Sequence, residues 1–140
     1  MIDRFSGEHA FLSNFAVSRI EMDGLTYPTV EHAYQAAKTL NAQQRGVIRV
    51  AMTPGAAKRL GRKVDMQPDF NAKRLAVMLE LVSKKFAIHE LADKLIATGG
   101  EELIEGNYWN DTYWGVCQGR GLNNLGIILM HTRHDIGGQR

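Results

Sequence analysis

A chain of 140 residues, 44% apolar and 23% charged, has ordinary globular composition and enough length for one domain with a real core. A formal net charge of +2 excludes a polycation that grips nucleic acid by charge alone, and apolar runs such as Leu75 to Leu79 fall far short of the roughly 20 residues of a membrane span. The single cysteine, Cys117, excludes an internal disulfide framework and suits a reducing compartment; with no leader-like pattern in Met1-Ile2-Asp3-Arg4, a cytoplasmic location is expected.

No repeat, low-complexity segment or linker interrupts the chain, so a single domain over 1–140 is expected. The first 27 residues read as loops and short strands, with an apolar, turn-bearing loop at Phe11-Leu12-Ser13-Asn14-Phe15. Ser18 to Glu21 suits a short strand, and Asp23-Gly24 suits the centre of a hairpin turn. Thr29 reads as a helix N-cap, with Glu31 in the first turn and the helix running to about Leu40. A second helix is predicted over Ala42 to Ala51. A third opens on Thr53-Pro54, cap and first helical position, and ends near Gly61. Pro68 to Phe86 carries a helical stripe of Leu75, Met78, Leu79 and Val82. Glu90 to Thr98 is a shorter helix stopped by Gly99-Gly100, Leu103-Ile104-Glu105 a short strand, and Asn123 to His134 the last helix. The predicted fold is α+β, helix-dominated, with a few short strands.

On the helix opening at Thr29, Glu31, Gln35 and Lys38 stand at i, i+4 and i+7 and therefore share a face. Spacing alone admits two readings, a solvated salt-bridge ladder or a row of reacting groups. Ser13-Asn14, framed by Phe11-Leu12 and Phe15, is either an ordinary turn or a pair of ligand-binding side chains. In Asn110-Asp111-Thr112-Tyr113-Trp114-Gly115, Trp114 can stack on a heterocyclic base and Asp111 can accept from a sugar hydroxyl or base amine; core aromatics beside a turn is the competing reading. Gly119-Arg120-Gly121-Leu122-Asn123 reads as a flexible loop entering a helix N-terminus, a place for phosphate or ribose, or as a plain connection. Basic residues crowd the middle at Arg45, Arg49, Lys58, Arg59, Arg62, Lys63, Lys73 and Arg74: a local face for a phosphate-bearing ligand, or a solvated helix surface.

No cysteine cluster or zinc-spaced histidine pair occurs, and no phosphate-loop, nucleophile-elbow or dinucleotide signature. No metal or cofactor is expected. Cys117 has no base beside it and reads as a bystander thiol.

Four motifs in order, Phe11-Leu12-Ser13-Asn14-Phe15, Gly24-x-x-Tyr27-Pro28-Thr29-x-Glu31-His32-x-x-x-Gln35-Ala36-x-Lys38, Asp111-x-x-Trp114-Gly115 and Gly121-x-Asn123-x-Leu125-Gly126-x-x-Leu129-Met130-x-x-Arg133, resemble the NADAR, or YbiA-like, family over nearly the whole chain. The resemblance implies an N-glycosidase that hydrolyses a C1′–N bond between a phosphorylated ribose or ADP-ribose and an amino-heterocycle, free or within a nucleic acid. Removal of ADP-ribose from guanine is the leading expectation. Hydrolysis of phosphoribosylamino-pyrimidine intermediates of riboflavin synthesis is the second, and a non-catalytic binder of ADP-ribose or nucleotides the third. By the same resemblance Glu31 is the general acid/base and Lys38 a catalytic amine, which either forms a Schiff base with the opened sugar or only steers charge while water attacks an oxocarbenium-like ribose with Glu31 assisting. Ser13, Asn14, Gln35, Asp111 and Asn123 would position ribose and base, Trp114 would stack or wall the pocket, and Arg120 and Arg4 would reach phosphates. The extra aromatics in Glu105-Gly106-Asn107-Tyr108-Trp109 depart from the family pattern and bear on substrate preference.

Overall fold

The structure, a computed structural model, describes residues 1–139. Six α-helices and four short strands are found among them, and no helix is long and apolar enough to cross a membrane. The residues group into two compact units: Asn14–Lys85, and Met1–Ser13 with the chain from Phe86 onward.

In the first unit, β1 (Ile20–Met22) and β2 (Leu25–Tyr27) form an antiparallel hairpin. Its two turn residues, Asp23 at φ +51° and Gly24 at φ +80°, adopt the left-handed backbone that matches strand twist, as Asp-Gly foretold. Four helices follow: α1 (Val30–Ala37), α2 (Ala42–Arg49), α3 (Pro54–Gly61) and α4 (Phe70–Lys85). The side chains of Thr29, Asn41 and Thr53 cap the first three, accepting from the N–H groups of His32, Gln44 and Ala56. All eight residues of α1 are buried, because α2, α3, α4 and the hairpin all pack on it. Small residues at Ala33, Ala36 and Ala37 let these neighbours close in.

Helix α1 ends three residues before the expected Leu40. Lys38 is its C-cap, Thr39 leaves to bridge Met66, and Leu40 is exposed. Gln67 supplies the stop: its side-chain amide donates to the Ala37 carbonyl at 2.9 Å and its backbone N–H to that of Lys38 at 2.7 Å.

In the second unit, a 3-10 helix over Gly7–Leu12 replaces part of the expected loop. Helix α5 (His89–Ala97) stops at Gly99, φ +63°. Of the strand expected over Leu103-Ile104-Glu105, only Leu103 pairs, in a parallel bridge with Ile2. The regular pairing begins one residue later, where β3 (Gly106–Asn107) runs parallel to β4 (Val116–Cys117). Helix α6 (Asn124–Gln139) exceeds the expected end at His134. Leu12, Leu95, Leu103, Leu125 and Leu129 make this unit's core.

Candidate active site

Burial bears on the solvated-ladder reading of the α1 face. Glu31 is 7% exposed and Gln35 4%, so neither belongs to a solvated ladder. A carboxylate taken from water needs compensating hydrogen bonds; Gln35 Nε2 donates one to Glu31 Oε1 at 2.8 Å, which fixes the carboxylate's direction. The chain before the helix contributes too: the Asn14 carbonyl accepts the Glu31 N–H at 3.1 Å, and Asn14 Nδ2 donates to Met78 Sδ on α4 at 3.5 Å. The helix start is pinned by Thr29, whose Oγ1 lies 2.7 Å from His32 Nδ1, while His32 Nε2 lies 3.0 Å from the Ala51 carbonyl. A carbonyl can only accept, so Nε2 carries a proton here.

Lys38, one helical turn past Gln35, places Nζ 5.6 Å from the centre of the Tyr34 ring. Its pKa lies below the ordinary lysine value, chiefly through burial; Glu31 pulls it back up, and Arg62, Lys58 and Arg74 push it further down. A carboxylate held in one orientation and an amine biased toward its neutral form thus occupy one short helix. That pairing can supply a proton donor and a nitrogen nucleophile.

The other expected site residues fall in the second unit. Ser13 is half-buried and its N–H donates to the Ala10 carbonyl. Asp111 Oδ1 accepts from the N–H groups of Tyr113 (3.1 Å) and Trp114 (2.9 Å), an Asx turn that fixes the backbone at Trp114, and Asn107 grips the Asp111 backbone from the other side. The Trp114 ring meets Tyr113 edge-on at 4.8 Å. Both ends of the Asn123 carboxamide are engaged by backbone: Oδ1 accepts from Glu105 N–H and Nδ2 donates to the Leu103 carbonyl, each at 2.9 Å.

The flexible loop expected over Gly119 to Asn123 is instead tightly built. Cys117 and Arg120 exchange two backbone hydrogen bonds around Gln118 (φ +52°) and Gly119 (φ +76°), a two-residue hairpin turn. The first-turn N–H groups of α6 are also taken: Asn124 donates to the Tyr113 carbonyl and Leu125 to that of Trp114. Those two donors are therefore already occupied by backbone carbonyls. Arg120 and Arg4 are both exposed, and Tyr108 and Trp109 stand out from the surface with their rings edge-to-face.

Cys117 is buried, as expected of a bystander thiol, with Sγ near Asn110 Oδ1. Among the described residues no group of His, Cys, Asp and Glu could hold a metal ion. Two features escaped the sequence. Lys85 is 1% exposed and its burial pushes the amine down to about 7; its place in the Met78–Leu81–Val82 stripe of α4 was the available signal. The other is the set of cations around Lys38, which a list of basic residues cannot separate from a solvated face.

A NADAR domain family model matches residues 3–137, and the chain belongs to the NADAR family. Among its relatives is the N-glycosidase YbiA of Escherichia coli (strain K12), 37% identical over 135 residues that cover 94% of this chain and 84% of YbiA. The NMR structure of E. coli YbiA aligns with a TM-score of 0.84 at 34% identity, covering 99% of this chain and 88% of that one, so the helix-dominated α+β fold is the YbiA fold. The N-glycosidase Npun_R5314 of Nostoc punctiforme is 36% identical over 89% of this chain and 83% of its own length. The riboflavin biosynthesis protein VVA0006 of Vibrio vulnificus is also 36% identical, over 91% of this chain but only 36% of that longer protein.

Proposed function

We propose that this protein, an N-glycosyl hydrolase like its YbiA relatives, cleaves the C1′–N bond that joins a phosphorylated ribose to the exocyclic amine of a heterocycle, and that ADP-ribosylated guanine is its substrate. The observation that carries the reading is a buried Glu31, oriented by Gln35, on the same short helix as an amine whose burial favours its neutral form. An exocyclic aminoglycoside can open its sugar to a C1′ imine. Lys38 Nζ adds to C1′ and the heterocyclic amine departs with a proton from Glu31, leaving a Schiff base between C1′ and Lys38. Water then hydrolyses that Schiff base and restores the lysine, so one water is consumed, its oxygen ending on C1′ and its protons on sugar and base. Asn123, expected to position ribose and base, braces the Leu103–Glu105 backbone within its own unit.

The name of the Vibrio vulnificus relative favours a second substrate, a phosphoribosylamino-pyrimidine of riboflavin synthesis. Both substrates present the same bond, and both fit a reducing cytoplasm. Glu31→Gln keeps the size of the side chain and is expected to abolish release of free base from either substrate while melting stays near that of the parent. Undiminished turnover by this variant would remove Glu31 from the mechanism. Parallel assay of the two substrates with purified protein separates them, and borohydride trapping followed by mass spectrometry locates the sugar on Lys38.

A further inference from the structure

The cations about Lys38 are more numerous than its chemistry requires. Helix α3 lies so close to α1 that a Cβ on Gly61 would fall 1.9 Å from Gln35 Oε1. Arg62 follows Gly61 directly, and Lys58 stands one turn earlier on the same side of α3 as Arg62. Helix α4 brings Arg74 up between two residues already in contact with the site. Phe70, one turn before it, meets the Tyr34 ring edge-on at 5.6 Å, and Met78, one turn after it, holds Asn14. Arg74 is half-buried, with its Nε shut off from solvent.

Charge pairing elsewhere in this unit sharpens the contrast. Arg45 pairs with Asp23, Lys73 with Asp69 and Lys84 with Glu80. Lys58 and Arg62 form no ion pair with an acidic side chain among the described residues. Within residues 14–85 there are twelve Lys and Arg against six Asp and Glu, whereas the rest of the chain holds five against nine. The unit that carries α1 therefore holds an excess of positive charge, and the charges acting on Lys38 are Glu31 against Arg62, Lys58 and Arg74. Cations brought together in this way repel one another, and a doubly charged anion among them relieves that repulsion.

We propose that Lys58, Arg62 and Arg74 form a phosphoryl-binding subsite beside Lys38, which holds the 5′-phosphate of the ribosyl substrate and so places C1′ against the α1 face. The assignment rests on the ribosyl substrate proposed above, and it moves the phosphate from Arg4 and Arg120 to helices α3 and α4. Guanidinium groups suit the task because their donors match phosphate oxygens in pairs, while Lys58 acts as a point charge. A terminal phosphomonoester and the first phosphate of a diphosphate bridge would use the same residues.

The test uses ribose 5-phosphate, ADP-ribose and plain ribose as probes, with binding measured calorimetrically so that no turnover is needed. The parent protein should bind both phosphorylated probes more tightly than ribose, and ADP-ribose over ribose 5-phosphate if the bridge is the natural occupant. Lys58→Ala with Arg62→Ala should weaken the phosphorylated probes by more than about tenfold while leaving ribose unchanged. Both side chains reach solvent, and melting curves verify the fold. Arg62→Lys should recover part of the loss. A second readout is Lys38 itself, followed by NMR after isotopic methylation: removing Lys58 and Arg62 should raise its titration midpoint. Parent-like affinity for ribose 5-phosphate in the double variant, with an unmoved Lys38 midpoint, overturns the subsite. Phosphate-selective binding that depends on these residues supports the subsite even if neither glycosidic substrate is turned over, an outcome that would count against the proposed reaction alone.

Discussion

Gly61 is a place where a single missing methyl group matters to the site. Its Cβ would overlap Gln35 Oε1, the other end of the amide that holds Glu31, so a side chain there must displace either α3 or Gln35. Gly61→Ala is expected to destabilise the protein by about 1–3 kcal/mol, the usual cost of overpacking. Activity should fall further than stability explains, because Glu31 loses its orientation. Chemical denaturation beside a kcat measurement at a temperature well below melting checks both parts; an unchanged kcat would mean that the Gln35 amide is dispensable. The sequence marked Gly61 only as the end of a helix. Its packing role is long-range and leaves no local pattern. Glu31, Gln35 and Lys38 were legible as one face from spacing, but their burial was not, since it depends on three helices that arrive later in the chain.

At the scale of elements, legibility followed local chemistry. Thr53-Pro54 and Gly61 bounded α3 to the residue, and Asp23-Gly24 gave the hairpin, because caps and left-handed turns are written in single side chains. The parallel pairing of β3 with β4 was invisible: two residues per strand have no periodicity, and each residue's partner is ten residues away with an Asx turn between. The stretch from Gly119 to Asn123 was read as slack for a related reason, since the two-residue turn at its start is tight only when flanking backbone pairs across it. The helix caps allow a comparison. Thr29 is buried and bonded both to the His32 N–H and to its ring, whereas Thr53 is exposed and bonds one N–H. Replacement by Ala costs about 0.5–2 kcal/mol at such positions; Thr29→Ala should fall near the upper end and Thr53→Ala near the lower, with Thr29→Ser recovering most of the difference. Urea unfolding of the three variants measures this, and equal losses at the two caps would show that the His32 link adds nothing.

For the molecule as a whole, stability should depend on pH through its buried amines. Lys85 titrates at about 7 when folded and near the ordinary lysine value of 10.5 when unfolded. Between those values the unfolded chain binds the extra proton, so stability rises with pH. The cost of burying the charged amine is full below about pH 7 and vanishes as pH approaches 10.5, with a slope of up to ~1.4 kcal/mol per pH unit. Lys38, also shifted down by burial, acts in the same direction, while the raised pKa of Tyr27 opposes it only near and above its ordinary value of 10.0. Urea midpoints measured from pH 7 to 10 should climb, and Lys85→Met should flatten most of that climb. A parent protein equally stable across the range would place the Lys85 ammonium in a far better solvated setting.

The clamps on α1 carry one more consequence. Thr29, His32 and Ala51 tie its first turn, and Gln67 takes the carbonyls of its last. Eight residues fastened at both ends cannot fray, although a free helix of that length would scarcely form in water. Its amide protons are therefore placed among the slowest to exchange with solvent. Active-site segments are often drawn from the loosest parts of a fold; here the groups proposed for chemistry sit on a helix fastened at both ends, and whatever breathing admits a substrate has to come from the chain around them.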